Sequence, residues 1–181
     1  GKNFLRLVLV ELHLWVRRLP RGPGGWRRGR WATIPSMALP VTAIVVSYNT
    51  REALLQCLRG LAPCAQIVVV DNASHDGTAD ELAARYPWVR LVRSEHNLGF
   101  AAGNNLGAQH ARGAMLLLLN PDALPEPGAL EDGMRLMQQT PGVGMAGGRL
   151  LDTDGSTQPS ARMFPTLFQE FVVLSGLAAR Y

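Results

Sequence analysis

Residues 41–47 read VTAIVVS, residues 66–70 read QIVVV and residues 116–119 read LLLL, each a continuous apolar run with polar turn residues behind it. A run that is apolar at every position, rather than at every second one, describes a strand buried on both faces. Between these runs the apolar spacing changes to that of a helix. Leu54, Leu55, Leu58 and Leu61 share one face after a capping Asn49 or Thr50, and a second helix is expected near residues 78–86, where Pro87 helps to stop it. Residues 89–93 read as a weaker strand, 99–112 as a helix and 114–119 as a fourth strand. Doubly buried strands alternating with helices imply βαβ units and a mainly parallel sheet. Further on, a helix is expected at 127–139, a short strand at 142–147, a hairpin over 149–158 around the turn Asp152-Thr153-Asp154-Gly155, and a helix at 165–178.

In such sheets ligands bind beyond the carboxyl ends of the strands. Those ends hold Ser47-Tyr48-Asn49, residues 71–77, residues 94–98 and Asn120-Pro121-Asp122, with the carboxylates Asp71, Asp76 and Asp122 among them. The stretch LLLLNPDALPEPG at 116–128 poses the sharpest question: Asn-Pro-Asp is an ordinary strand-stopping turn, yet it also aims a carboxylate off the same sheet edge. Gly99, Gly103 and Gly107 recur at four-residue spacing, which lays bare backbone along one side of a helix. Each glycine costs about 1 kcal/mol of helix stability relative to alanine, so three need a packing or binding reason. Asn97, Asn104 and Asn105 stand beside them. By contrast, residues 142–147 (GVGMAG) match a dinucleotide-binding GxGxxG only by letter, because a helix precedes them and a strand or turn follows.

Composition narrows the classes. The 181 residues are 47% hydrophobic and 18% charged, enough for one domain with a sizeable core. Cys57 and Cys64 are the only cysteines, are not a CxxC pair, and read as small buried apolar side chains in a reducing setting; no His or Cys spacing suggests zinc. Residues 1–40 hold Lys2 and seven arginines against Glu11 alone, whereas residues 41–181 carry ten basic and thirteen acidic side chains. A basic head on a mildly acidic body argues against nucleic-acid binding by that body. Phe4, Leu5, Val8, Leu12, Trp15, Val16 and Leu19 fall on one side of a helix, so a basic amphipathic helix followed by an Arg- and Trp-rich tail is expected, in peripheral contact with an anionic membrane through residues 4–31. A plainer reading stands beside it. One lysine among 18 basic residues suggests a GC-rich coding sequence, and Met37 is a natural start that would leave the head extraneous.

The ordered blocks VTAIVVSYN, IVVVDNASHDGT, HNLGFAAGNNLG and LLLLNPD resemble the nucleotide-sugar-binding half of family 2 glycosyltransferases over about residues 41–180. With QPSARMFPT at 158–166, they most resemble the rhamnosyltransferase-like branch. The resemblance implies a GT-A-like, Rossmann-like α/β fold with a mainly parallel sheet flanked by helices, incomplete on the acceptor side. It implies inverting transfer of a sugar from dTDP-rhamnose or a UDP-sugar to a saccharide or lipid-linked acceptor in cell-surface polysaccharide synthesis. The cysteine usage fits a cytoplasmic setting, and the basic head adds an expected peripheral contact at the inner face of the plasma membrane.

Position by position, the resemblance puts Ser47, Tyr48 and Asn49 around the nucleoside, with Tyr48 against the pyrimidine. Asp71 meets the base or ribose, while Asn72, Ser74 and Asp76 shape its loop. Asn97, Gly99, Phe100, Gly103 and Asn104 border the diphosphate and sugar. Asp122, assisted by Asn120, holds Mg²⁺ or Mn²⁺; Asn120 replaces the first acid of the family's DxD motif. The base that deprotonates the acceptor is expected beyond Tyr181. Two other classes remain: a nucleotide-sugar-binding or membrane-recruited module without turnover, and a sugar nucleotidyltransferase, which would want a glycine-rich basic loop where Ser47-Tyr48-Asn49 stands.

Overall fold

The computed structural model describes residues 38–152 and 154–158, together with the backbone of two short strands nearer the N-terminus. In chain order the elements are β1 (Leu5–Val8), β2 (Trp15–Arg17), β3 (Leu39–Ser47), α1 (Arg51–Gly60), β4 (Cys64–Asp71), α2 (Thr78–Arg85), β5 (Arg90–Arg93), α3 (Gly99–Gln109), β6 (Met115–Leu119), β7 (Ala123–Pro125), α4 (Ala129–Gln139), β8 (Met145–Ala146), β9 (Arg149–Leu151) and β10 (Thr157–Gln158).

The main sheet runs β5-β4-β3-β6-β2-β8. Its first four strands are parallel, and their registers align Ser47 with Asp71, Asp71 with Arg93, and Val45 with Leu119. The carboxyl ends of β3, β4, β5 and β6 therefore emerge on one edge. The expected α/β architecture, a mainly parallel sheet flanked by helices, is the one observed, and α1, α2, α3 and α4 each begin or end within three residues of the expected bounds.

Successive residues of β3 and β4 point to opposite faces, as the strand period of two requires. Val41, Ala43, Val45, Ile67 and Val69 enter one core with Leu54 and Leu58 of α1, Leu82 of α2 and Leu130 and Met137 of α4. Ile44, Val46, Val68 and Val70 enter a second core, covered by Leu106 and Ala108 of α3. The glycine series belongs to this second layer. A Cβ on Gly103 would lie 2.8 Å from Val46 Cγ1, and one on Gly107 would lie 2.5 Å from Ile44 Cγ2. Those two glycines let α3 sit against the sheet at backbone distance. Gly99 differs, with φ at +75° and open space where a side chain would go.

A helix across residues 4–19 was the expectation for the head. Instead, β1 pairs parallel to β7 and antiparallel to β9, while β2 pairs antiparallel to β6 and β8. Leu-Arg-Leu-Val and Trp-Val-Arg satisfy an alternating pattern as well as a helical one over so short a span. Unpaired sheet edges offer backbone partners that an isolated helix must find within itself. The remainder of the membrane-contact segment 4–31, and Met37, lie outside the described residues. Among the described residues no helix is long and apolar enough to cross a membrane.

β9 and β10 pair antiparallel, which is the expected hairpin. The GVGMAG segment follows α4 and leads into β8, so it has no helix behind it and is not a dinucleotide loop. The short strand β7 directly after Asp122 had no signal in the sequence. The helix expected at 165–178 lies outside the described residues.

Candidate active site at the carboxyl edge of the sheet

The site begins with the way β3 and β4 end. Ser47 is fully buried, and its carbonyl accepts the Asn72 N–H at 2.8 Å, extending the ladder one step past the strands. The chain then turns sharply at both places. Asn49 adopts φ 53° and Ala73 φ 64°, left-handed backbone that is uncommon for any residue but glycine. Such strain persists only where surrounding bonds over-determine it. Here Ser74 Oγ accepts the Asn49 N–H at 3.0 Å, and Asn49 Oδ1 accepts the His75 N–H at 2.8 Å.

Asp71 is 4% exposed. One of its carboxylate oxygens accepts the Ser74 N–H at a long 3.4 Å, and the other, Oδ1, is buried with no hydrogen-bond partner among the described residues. Leaving a buried carboxylate oxygen unsatisfied costs about 1–3 kcal/mol. The carboxylate stands at the wall of an open cleft of about 400 Å³, shared with Ala73, Ser74, His75, Asp80, Arg93 and Ser94. Arg93 Nη2 is paired to Asp80 Oδ1 at 2.9 Å, and both are exposed, so this pair reorganises cheaply.

Asn72 is 2% exposed and faces away from that cleft chemistry. Its Nδ2 donates to Asn97 Oδ1 at 2.8 Å and, at 3.4 Å, to the Gly99 carbonyl, while its Oδ1 accepts the Leu98 N–H at 3.0 Å. Asn97 Oδ1 also accepts the Gly99 N–H at 2.9 Å. These bonds tie the end of β4 to the start of α3. Asn104, 6% exposed, donates to the Phe100 carbonyl at 2.9 Å, and its Oδ1 is buried with no partner among the described residues. Asn105 is exposed. Tyr48 and Phe100 are large aromatics left about half exposed, at 45% and 55%.

The helix starts are not alike. α1, α2 and α4 each carry an acid in the first turn: Glu52; Asp80 and Glu81; Glu131 and Asp132. α3 carries none, and its N-cap Leu98 offers no side-chain bond. Among the described helices it is the one whose first turn holds no carboxylate, its first N–H going to the neutral amide oxygen of Asn97.

Past β6, Asn120 and Asp122 are both exposed on the same edge, and the Asn120 carbonyl accepts the Ala123 N–H at 3.1 Å to close the turn. No group of three or more His, Cys, Asp or Glu side chains that could hold a metal occurs among the described residues. The local donor set is thus one carboxylate and one amide, which fits a divalent cation of the magnesium type only when phosphate oxygens complete its shell. Cys57 lies beneath this turn, its Sγ 3.8 Å from the Asn120 carbonyl. Burial first, then the charges of Asp122 and Cys64, push its thiol up to about 12. Cys64, expected to be buried, is half-buried at the start of β4.

The structure thus brings Ser47, Tyr48, Asn49, Asp71, Asn72, Ser74 and Asp76 together in two linked loops, with Asn97 and Gly99 joined to them through Asn72. Asn120 and Asp122 share the sheet edge with these loops through the β3–β6 register. His75, Asp80, Arg93 and Ser94 were not singled out in the sequence. Ser94 opens the polar segment at the end of β5, which was the available signal; Asp80 and His75 carried none beyond being polar.

The family model described as glycosyl transferase family 2 matches residues 42–174. The N-acetylglucosaminyl-diphospho-decaprenol L-rhamnosyltransferase of Mycobacterium tuberculosis is 32% identical over 146 residues, covering 72% of this chain and 47% of that protein. The succinoglycan biosynthesis protein ExoO of Rhizobium meliloti is 30% identical over 95 residues, covering 50% of this chain and 27% of that protein. Among solved structures, S. aureus TarS in complex with UDP superposes with a TM-score of 0.48 at 23% identity, covering 55% of this chain and 32% of that one. The chain spans about half the length of the mycobacterial relative. A family match across most of the chain, joined to strand-end loops built around a buried carboxylate, places this chain in family 2 of the glycosyltransferases.

Proposed function

We propose that this chain forms the donor-binding part of a glycosyltransferase that moves a sugar from a nucleoside-diphosphate donor, dTDP-rhamnose or a UDP-sugar, to a saccharide or lipid-linked acceptor in polysaccharide synthesis, with inversion at the transferred carbon. The observation that carries this reading is Asp71: a nearly buried carboxylate whose Oδ1 has no hydrogen-bond partner among the described residues, in the lining of a cleft on the carboxyl edge of a parallel sheet. A ribose hydroxyl or a base N–H is the donor such an oxygen lacks, and the hydroxyl of Ser94, which lines the same cleft and donates to the His96 carbonyl at 2.7 Å, keeps acceptor capacity. Tyr48, half exposed one residue past β3, offers a ring face on which a planar base can stack.

The diphosphate is assigned to the side of α3 and the Asn120–Asp122 turn. A helix N-terminus without an acid of its own favours negative charge, and α3 is the described helix that lacks one in its first turn. Asp122 with Asn120 would hold the divalent cation, whose contribution is to neutralise the charge that the leaving nucleoside diphosphate gains. The rhamnosyl preference follows the mycobacterial relative's name.

Titration calorimetry with UDP and with dTDP, each with Mg²⁺ or Mn²⁺, is the test. Asp71→Asn and Asp122→Asn are each expected to weaken binding about tenfold or more. Only the Asp122→Asn variant should lose the dependence on metal. Nucleotide binding indifferent to both changes refutes the assignment.

A further inference from the structure

Helices α1 and α2 both begin without a side-chain cap of their own. Thr50, the N-cap of α1, makes no side-chain bond to its helix, and its hydroxyl lies 2.9 Å from Ser47 Oγ instead. Gly77, the N-cap of α2, has no side chain and sits at φ 81°. One carboxylate serves both. Asp76 Oδ2 accepts the N–H of Arg51, the first residue of α1, at 2.9 Å from 25 positions away. Its Oδ1 accepts the N–H of Thr78, the first residue of α2, at 3.1 Å, and the Thr78 hydroxyl at 2.5 Å.

The position is electrostatically apt, because two helix N-termini converge on one anion. It is also mechanically specific. The loop carrying Tyr48 ends at Arg51, and the loop hanging from Asp71 ends at Thr78, so a single side chain holds the far ends of both. The near ends are held by the Ser47 carbonyl to Asn72, and the middles by Asn49 with Ser74 and His75. Of these ties, Asp76 is the one that only a carboxylate can make: both oxygens accept from backbone N–H groups, and an amide in its place has one acceptor to divide between two helices.

We propose that Asp76 is a positioning residue for nucleotide binding, fixing the Tyr48 loop against the Asp71 loop by capping α1 and α2 with the same carboxylate. This rests on the donor-binding reading above and adds to it a residue that touches no ligand. It also means that the starts of α1 and α2 are already occupied by an anion of the chain itself, which leaves the diphosphate to α3.

The experiment pairs nucleotide affinity with backbone amide exchange, read by NMR at Arg51 and Thr78, in the full chain. Asp76→Asn preserves side-chain volume, Asn49→Ala removes the neighbouring tie, and Asp132→Asn, on an exposed helix pair with Arg135, is the control. Asp76→Asn is expected to speed exchange at one or both amides and to weaken UDP or dTDP binding about tenfold, at a temperature where unfolding remains cooperative. The control should match the wild type on both counts. Faster exchange with affinity unchanged within about twofold overturns the proposal, as does unchanged exchange. If Asp76→Asn does not fold cooperatively, Asn49→Ala decides by the same two measurements. A wild-type chain that binds neither nucleotide removes the donor reading and this proposal with it, whereas wild-type binding that the variants retain removes the proposal alone.

Discussion

Asn72 Nδ2 lies 2.8 Å from Asn97 Oδ1, a hydrogen bond between two amides 25 residues apart that joins the end of β4 to the start of α3. The sequence reading has Asn72 shape the Asp71 loop and Asn97 border the diphosphate and sugar; in the structure Asn72 is buried, Asn97 is exposed, and the bond between them fastens the two loops together.

Asn72→Ala should therefore act on stability first. It leaves the part-buried Leu98 N–H without its acceptor and removes one of the two bonds to Asn97 Oδ1, at a position only 2% exposed, a loss of about 1–3 kcal/mol. Urea denaturation followed by circular dichroism measures this, and a loss below about 0.5 kcal/mol would mean that the bonds are replaced by water.

The glycines of α3 should separate by mechanism. Gly107→Ala and Gly103→Ala force a methyl to within 2.5 Å and 2.8 Å of sheet side chains and are expected to cost about 1–3 kcal/mol each through overpacking. Gly144→Ala meets open space at an ordinary backbone angle and should stay within about 0.5 kcal/mol of wild type. The comparison is made by thermal or urea unfolding of all three.

Asp76 sets an acid-side prediction. Partial burial raises its carboxyl, but hydrogen bonds from the Thr78 hydroxyl and the backbone N–H groups of Arg51 and Thr78 outweigh that and hold it below its ordinary 3.8. A depressed folded value means the contribution is present above pH 3.8 and is lost as pH falls below it. Protection of the Arg51 and Thr78 amides, taken relative to the intrinsic exchange rate at each pH, should fall in that acid window in the wild type. In Asp76→Asn it should be low already at neutral pH. The charged groups beside it are the Arg51 guanidinium, 3.7 Å from Glu81, and the adjoining His75.

Cys57 and Cys64 set the alkaline one. Burial is the largest cause in both thiols, and each is pushed from 9.0 up to about 12. With the folded value raised, the contribution is intact below pH 9.0 and is lost as pH rises toward 12. At pH 8 a thiol with a value near 12 is thiolate in roughly one molecule in ten thousand, so a disulfide reagent should label both cysteines slowly in the native chain and rapidly in urea. Rapid labelling of Cys57 in the native state would show that the Asn120–Asp122 turn opens readily.

Much of the architecture was legible because it depends on local patterns that tertiary structure had no reason to overrule. The runs VTAIVVS and QIVVV are apolar at every position, and the structure buries both faces of them between α3 on one side and α1, α2 and α4 on the other. The turn residues Asn120-Pro121-Asp122 end β6 where the sequence says they must. The four-residue glycine spacing announced a close approach, although only the structure showed that Gly103 and Gly107 meet Val46 and Ile44 whereas Gly99 faces open space.

The sequence by itself determined the strand-and-helix order, the parallel sheet and the set of polar loops along one edge, because period and turn chemistry act over a few residues. Tertiary structure decided what those loops do. LRLV and WVR fit either a helix or a strand until sheet edges claimed them. The cleft sets Asp71 and its own loop against Arg93 and Ser94 from the end of β5 and Asp80 of α2, and the cap of α1 comes from Asp76, 25 residues downstream. Such pairings depend on which chain ends the sheet register brings side by side, and no local signal carries that information.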